Sequence, residues 1–345
     1  MFKNQDQFTN SMFGSYAYDP IIKRNQDHLL VKINKLIDWS FVENEVADCY
    51  SHLGQNAIHP VRIFKLLIIQ NLYNLSERDV MINVDCNILY RYFVGLGLNE
   101  NVPHWTELGK FKERIGEDNF ERLFYAVLDE AERLGIDISK KRNADSTDVA
   151  AKVDVKKCAK DKIDDNDKKY VDRNTPDKDA KFGRKESNGK SWYGYKSHIN
   201  QDPNTELITA NITTGANATD ESLLIALIDK ERDWRGENCI GQQGGDKGYI
   251  GHTQELQERG IKDFVIPRNN MKKAKQEKEN NLHYQYLKRY RYKVEQKHAE
   301  GKRSGLDKAR CWGRWKMHVQ SLLIYLAINL KRIVSLIMPK IPRTA

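Results

Sequence analysis

Three acidic residues stand in settings suited to chemistry. Asp145 lies in Asn143-Ala144-Asp145-Ser146-Thr147 and Asp246 in Gly244-Gly245-Asp246-Lys247-Gly248-Tyr249. Glu295 lies in Arg291-Tyr292-Lys293-Val294-Glu295, with Lys302 following. Two aspartates and a glutamate brought together by a fold can hold a pair of hard divalent cations through oxygen ligands. Such a pair can clamp the attacking and leaving oxygens of an in-line phosphodiester displacement. In a chain with 48 Asp and Glu, the local contexts carry this argument. Glycines around Asp246 permit a tight turn and close approach of a ligand, and Lys247 and Tyr249 can meet phosphate and base or sugar. An ordinary glycine-rich turn is the alternative. Asp145 precedes Thr147 in an Asp-x-Thr turn of the kind found where a first strand meets its successor. Residues 140–143 are polar for a buried strand, so Asp148 and Asp154 compete with Asp145, as does a plain capping aspartate.

Glu295 is placed by helical geometry. At 100° per residue, Lys288, Arg291, Glu295, His298 and Lys302 fall within roughly 80° of one another. Leu287, Tyr290 and Val294 occupy an adjacent face that would pack inward. One basic helix over about Leu282 to Glu300 would therefore present a carboxylate amid cations to a nucleic-acid backbone. A solvated basic face gives the same pattern.

The elements that must hold these residues fall into two expected domains. Residues 1–138 read as helical. Pro60 suits a first helical turn before the apolar run Ile63 to Ile69, and Ser76 suits an N-cap. Two short helices around a break near Asp85-Cys86-Asn87 fit either a helix-turn-helix or a plain bundle. A helix from about Thr106 to Leu134 closes the region. Residues 139–345 alternate between strand-like and helical runs, the pattern of a sheet flanked by helices. Trp192 to Ile199 and Leu207 to Thr213 form an expected hairpin around Asp202-Pro203-Asn204-Thr205. Thr219 or Asp220 is placed to cap a helix over Glu221 to Trp234. Residues 156–190, dominated by Lys, Asp, Asn, Gly and Arg, read as a charged, mobile surface loop.

Composition bounds the partners. Fifty-seven Lys and Arg against 48 Asp and Glu give a formal charge of +9 and a pI near 9.1, which favours a polyanion because cations at phosphates release condensed counterions. Cys49, Cys86, Cys158, Cys239 and Cys311 are scattered without a CxxC pair, suggesting neither a disulfide framework nor a zinc site. The start, Met1-Phe2-Lys3-Asn4-Gln5, lacks a secretory pattern. The apolar stretch Val319 to Met338 is interrupted by Asn329, Lys331 and Arg332 and reads as a buried amphipathic helix, with no membrane partner. The expectation is a soluble, cytoplasmic protein.

Taken together, the motifs resemble those of bacterial insertion-sequence DDE transposases with an RNase H-like catalytic core. Arg291, Glu295 and Lys302 match most of the signature around that group's third acid, with Lys288 where the group has a leading Tyr. Asp246-Lys247-Gly248-Tyr249 resembles the second-acid motif. Asp145-Ser146-Thr147 resembles the first, with Ser146 where Gly is common. Phe182-Gly183-Arg184-Lys185 and Gly194-Tyr195-Lys196 with His198 match the stretch between those acids. His59-Pro60-Val61-Arg62, Leu75-Ser76-Glu77-Arg78, Thr106-Glu107-Leu108-Gly109-Lys110-Phe111 and Leu326 to Arg332 extend the similarity over nearly the whole chain. The resemblance implies that Asp145, Asp246 and Glu295 coordinate two Mg2+ ions, with Mn2+ able to substitute. It implies cleavage and strand transfer at element ends, with Arg291, Lys302, Lys247, Tyr249, Lys196 and Lys288 contacting DNA. The helical region would recognise terminal inverted repeats or support dimerisation, and synapsis with target DNA implies a homo-oligomer. Two rival readings are a non-catalytic DNA-binding protein derived from a transposase and an RNase H-like nuclease without strand transfer.

Overall fold

The computed structural model describes residues 12–50, 57–153, 168, 171, 174–184 and 191–338. It divides into two compact units, Met1–Ile136 with Leu326–Ala345, and Asp137–Tyr325. The division differs from the expected boundary by grouping the C-terminal segment with the first unit.

The first unit is helical: α1 (Met12–Arg24), α2 (Leu29–Leu36), α3 (Ser40–Val46), α4 (Pro60–Leu72), α5 (Glu77–Cys86), α6 (Ile88–Val94) and α7 (Thr106–Arg133). Pro60 occupies the first turn of α4, where its missing amide costs nothing. Ser76 caps α5, its Oγ accepting from Asp79 N at 3.1 Å. Helix α4 is buried almost all round, Val61, Ile63, Phe64, Leu66, Leu67, Ile68 and Ile69 each being at most 3% exposed. Its Lys65 survives in this core by donating to Asn34 Oδ1 at 2.7 Å and lying over the Trp39 ring. Only Asn87 separates α5 from α6, and its side chain caps α6 through the Leu89 and Tyr90 amides. A helix-turn-helix uses a turn of about three to four residues, so the bundle reading fits this junction.

The second unit is built on one sheet. Its strands are β1 (Lys141–Ala150), β2 (Lys181–Arg184), β3 (Ser191–Gln201), β4 (Ile208–Gly215), β5 (Gln242–Gly245) and β6 (Lys262–Val265). The order is β2-β3-β1-β5-β6, with β4 also paired to β3. Strands β1 to β4 are joined by antiparallel ladders, and β5 and β6 run parallel to β1. This mixed sheet flanked by helices is the arrangement expected of an RNase H-like core. One face carries an apolar cluster of Ala144, Ala210, Tyr249 and Val265 with Leu224, Leu227 and Ile228 from α8 (Leu224–Arg235) and Leu256 from α9 (Thr253–Glu258). On the other, Tyr284 and Leu287 of α11 (Leu282–Tyr290) cover Phe264. Between α9 and α11 in sequence lies a further helix, α10 (Lys272–Glu279), over residues to which the sequence assigned no element. Gly244 is required where β5 passes β1, because a Cβ there would collide with Asn143 Oδ1.

Two expectations are corrected. Strand β2 and the buried residues Thr175, Asp177 and Ala180 lie within the segment expected to be a mobile loop. Asp177 Oδ1 accepts from Tyr195 Oη at 2.6 Å, and hydrogen bonds of this kind tie 174–184 to the sheet; Asp154 and most of 156–173, with 185–190, lie outside the described residues. The expected helix over Leu282 to Glu300 is two, α11 and α12 (Tyr292–Gly301), meeting at Arg291. Past Gly301 the backbone continues as a π-helical turn, Lys302–Leu306. The last helix, α13 (Arg314–Ile337), is long and apolar enough to cross a membrane, but 72% of its most apolar window is buried within the protein, as in a core helix.

Candidate active site

Asp145 and Asp246 are neighbours by register. Strands β1 and β5 run parallel with Ala144 opposite Gly245, so the next residue of each strand is an acid. Beyond this point β5 turns away. Asp246 caps a 3-10 turn over Lys247–Tyr249, and its Oδ1 accepts from Gly248 N at 2.8 Å. Alternation along β1 places Asn143 and Asp145 toward α11 and α12. Asn143 Nδ2 donates to Leu287 O, and Asp145 Oδ2 lies 3.9 Å from His298 Nε2 of α12. Glu295 stands three residues before His298 on the same helix, a spacing that puts both on one face. Its Oε1 forms an ion pair with Arg291 Nη2 at 2.7 Å, and its side chain is 52% exposed.

The electrostatics tie these groups together. The Asp145 side chain is only 16% exposed. Burial pushes its carboxyl up to about 7; the Ser146 amide opposes this, Asp246 adds to it, Arg291 lowers it and Glu295 raises it. Tyr249, fully buried nearby, is held well above the usual phenol range by burial and by the charges of Asp220, Asp145 and Asp246. Several acids therefore act on one small volume whose negative charge Arg291 offsets in part.

Residues 145–330, over half of the chain, match the family model described as Transposase DDE domain. The chain belongs to the DDE transposase family. Residues 19–114 match a second model, Transposase domain (DUF772). Neither the curated proteins nor the solved structures contain a match. The family acts on DNA and generally uses divalent metal ions, and the acid-lined volume of this transposase offers the oxygen donors such ions take.

The expected DNA-facing residues are placed unequally. Lys247 is exposed beside Asp246. Arg291 is held on Glu295. Lys302 donates to Asp148 Oδ1 at 3.1 Å, so Asp148, the competitor of Asp145, already has a cation partner. Lys288 points to Glu279 Oε1 of α10, away from Glu295. Tyr249 corrects its expected role: its side chain is fully buried in the apolar cluster under β1 and β5, which prevents contact with a base or sugar. Lys196 donates to Asp220 Oδ1 at 3.2 Å and to Ala218 O at 3.0 Å.

Asp220, one of the two residues expected to cap the following helix, has another role for its side chain. It makes no side-chain capping bond to the turn Glu221–Leu223. Its Oδ1 instead accepts from Ser146 Oγ at 2.9 Å. His198, fully buried on β3, lies 3.7 Å from the same oxygen and is pushed down to about 4 by burial, so it is neutral near pH 7. An aspartate two residues before the helical turn's centre looks like a cap by spacing alone; only the fold reveals that its side chain meets Ser146 on β1 and the turn after Asp246.

Proposed function

We propose that this protein is an active transposase that cuts DNA at the ends of an insertion sequence and joins them to target DNA. Asp145, Asp246 and Glu295 would hold two Mg2+ ions, with Mn2+ able to substitute, and the ions would supply Lewis-acid stabilisation of the attacking and leaving oxygens. The observation carrying this reading is the adjacency of Asp145 and Asp246 at neighbouring parallel positions, with the field of Glu295 also felt at Asp145. Carboxylates arranged so that one resists ionisation are under-neutralised, and a bound cation relieves that repulsion.

The surrounding cations do the positioning. Lys247, Arg291 and Lys302 would draw scissile and flanking phosphates to the rim, offsetting repulsion between the acids and the DNA backbone. Arg291 also holds the Glu295 carboxylate through their ion pair. Hydrolysis at an element end leaves a 3′-hydroxyl, which then attacks a target phosphodiester and displaces a second 3′-oxygen. The helical unit would contact terminal inverted repeats or a second copy, and pairing of two ends calls for a homo-oligomer acting in the cytoplasm at the nucleoid.

Labelled end DNA, both uncut and pre-cut, supplied with Mg2+ and a target plasmid tests this. The wild type should give joined product, while Asp246→Asn should give neither cleavage nor joining yet still bind end DNA. Mg2+-dependent cleavage retained by Asp246→Asn would overturn the assignment. Cutting without joining would support the nuclease reading instead, and binding alone the non-catalytic one.

A further inference from the structure

A charged side chain that misses its expected local role and turns toward an active site calls for an account. Asp220 lies in the connection between β4 and α8. One of its oxygens, Oδ1, accepts from Ser146 Oγ and from Lys196 Nζ. The other, Oδ2, would lie 3.4 Å from a Cβ placed on Gly248, while Asp246 Oδ1 would lie 2.9 Å from the same point. Asp220 therefore touches the residue after Asp145 and packs beside the turn that Asp246 closes. The groups facing it are Ser146, Lys196, His198, Gly248 and the buried Tyr249.

We propose that Asp220 is a positioning residue of the strand-cutting site: it locks Ser146 and the Asp246 turn in register and holds the Lys196 ammonium off the acids. The inference rests on the reading of Asp145 and Asp246 as metal-holding residues. Ser146 follows Asp145 on β1 and its amide lowers the Asp145 carboxyl, so fixing Ser146 by its hydroxyl also fixes the backbone that carries Asp145. Groups one step removed from a metal's ligands orient those ligands and tune their basicity. Lys196 matters by charge. Its ammonium is tethered by one carboxylate and one carbonyl, Ala218 O. Without Asp220 an uncompensated cation would stand beside the volume meant for divalent ions, and like charges there repel. Asp220 thus acts both through a hydrogen bond to β1 and by cancelling a neighbouring cation.

The test uses full-length protein and Mn2+ as the probe. Binding is read without DNA by the metal-induced rise in thermal midpoint, and separately as the half-saturating Mn2+ for joining of pre-cut ends. Asp220→Ala should weaken Mn2+ binding by about 10–100-fold, with Asp220→Asn falling between it and wild type because an acceptor for Ser146 remains. Adding Lys196→Met to Asp220→Ala should recover part of the lost Mn2+ affinity, and Ser146→Ala should add little to Asp220→Ala. A structural role would lower the metal-free midpoint but leave Mn2+ affinity unmoved and Lys196→Met without rescue, and that result overturns the proposal. Should Asp220→Ala fail to fold, Asp220→Asn and Ser146→Ala decide, since wild-type Mn2+ affinity in both is the overturning result. Asp246→Asn, run alongside, separates the failures. If it keeps cleaving, the metal-site reading falls; if it is inactive while the Asp220 variants bind Mn2+ normally, only the positioning role falls.

Discussion

Arg142 and Asp145 stand three residues apart on one strand, and both bury charge, but their surroundings differ. Arg142 is fully buried with its guanidinium on Glu231 at 2.6 Å, and Glu231 also accepts from Thr209 Oγ1 at 2.7 Å and Arg235 at 3.3 Å. Further donors of Arg142 reach the carbonyls of Ser139 and Lys141. The Arg142 charge meets its opposite, as a buried ion pair requires. Burial raises the Asp145 carboxyl to about 7, with Asp246 and Glu295 also acting against its charge. Compensated charge serves the fold, whereas charge held under-neutralised beside a surface marks a site kept for a ligand.

The sharpest way to break this contrast is to neutralise each group. Asp145→Asn should cost end cleavage on the order of 10²–10³-fold or more, as expected when one preorganised electrostatic group is lost. The metal-free variant should unfold in urea at the same or a higher midpoint, since a repelled carboxylate is gone. Arg142→Met should show the reverse emphasis, losing about 3–5 kcal/mol of stability in urea unfolding because buried Glu231 loses its nearest cation and keeps only Thr209 and the more distant Arg235. Arg142→Met with Glu231→Leu should regain much of that loss. An Asp145→Asn protein that unfolds as readily as Arg142→Met would erase the distinction.

The same contrast predicts a pH dependence. An ordinary aspartate titrates near 3.8, and Asp145 in the fold near 7, so the folded state keeps this proton longer than the unfolded chain. Stability from this group is present below about pH 4 and is lost as pH rises through about 7, amounting to a few kcal/mol at most. Urea midpoints of the metal-free protein across that window should fall more for wild type than for Asp145→Asn. Mn2+ added at pH 6 should release protons, because the carboxylate must ionise to bind. The smallest effects belong to the rim. Lys247→Ala should lower the salt dependence of end-DNA binding by about one unit of slope. Lys288→Ala should change stability by no more than about 0.5 kcal/mol, with a smaller change in slope, because its ammonium is engaged with Glu279 at the surface.

Much of the frame was legible where local chemistry decides structure. Pro60, Ser76 and the hairpin on either side of Asp202 act within a few residues, and the structure has each as expected. Legibility failed where a distant partner decides. Residues 140–143 looked too polar for a strand because Glu231, far along the chain, is what allows Arg142 inside. Asp220 looked like a cap until β1 and β3 supplied Ser146 and Lys196. Tyr249 looked accessible beside two glycines, yet α8 and the sheet enclose it. The segment around β2 looked like loop because its burial depends on Tyr193 and Tyr195 reaching back to Asp177.

The central claim is that Asp145, Asp246 and Glu295 together form one divalent-metal site. Crystals soaked in Mn2+ and measured by anomalous scattering test it most directly. The account predicts ordered Mn2+ held by those three carboxylates in the wild type, with the density lost in Asp246→Asn. Mn2+ ordered elsewhere, or absent from these acids in crystals of protein that joins DNA in Mn2+, would contradict it.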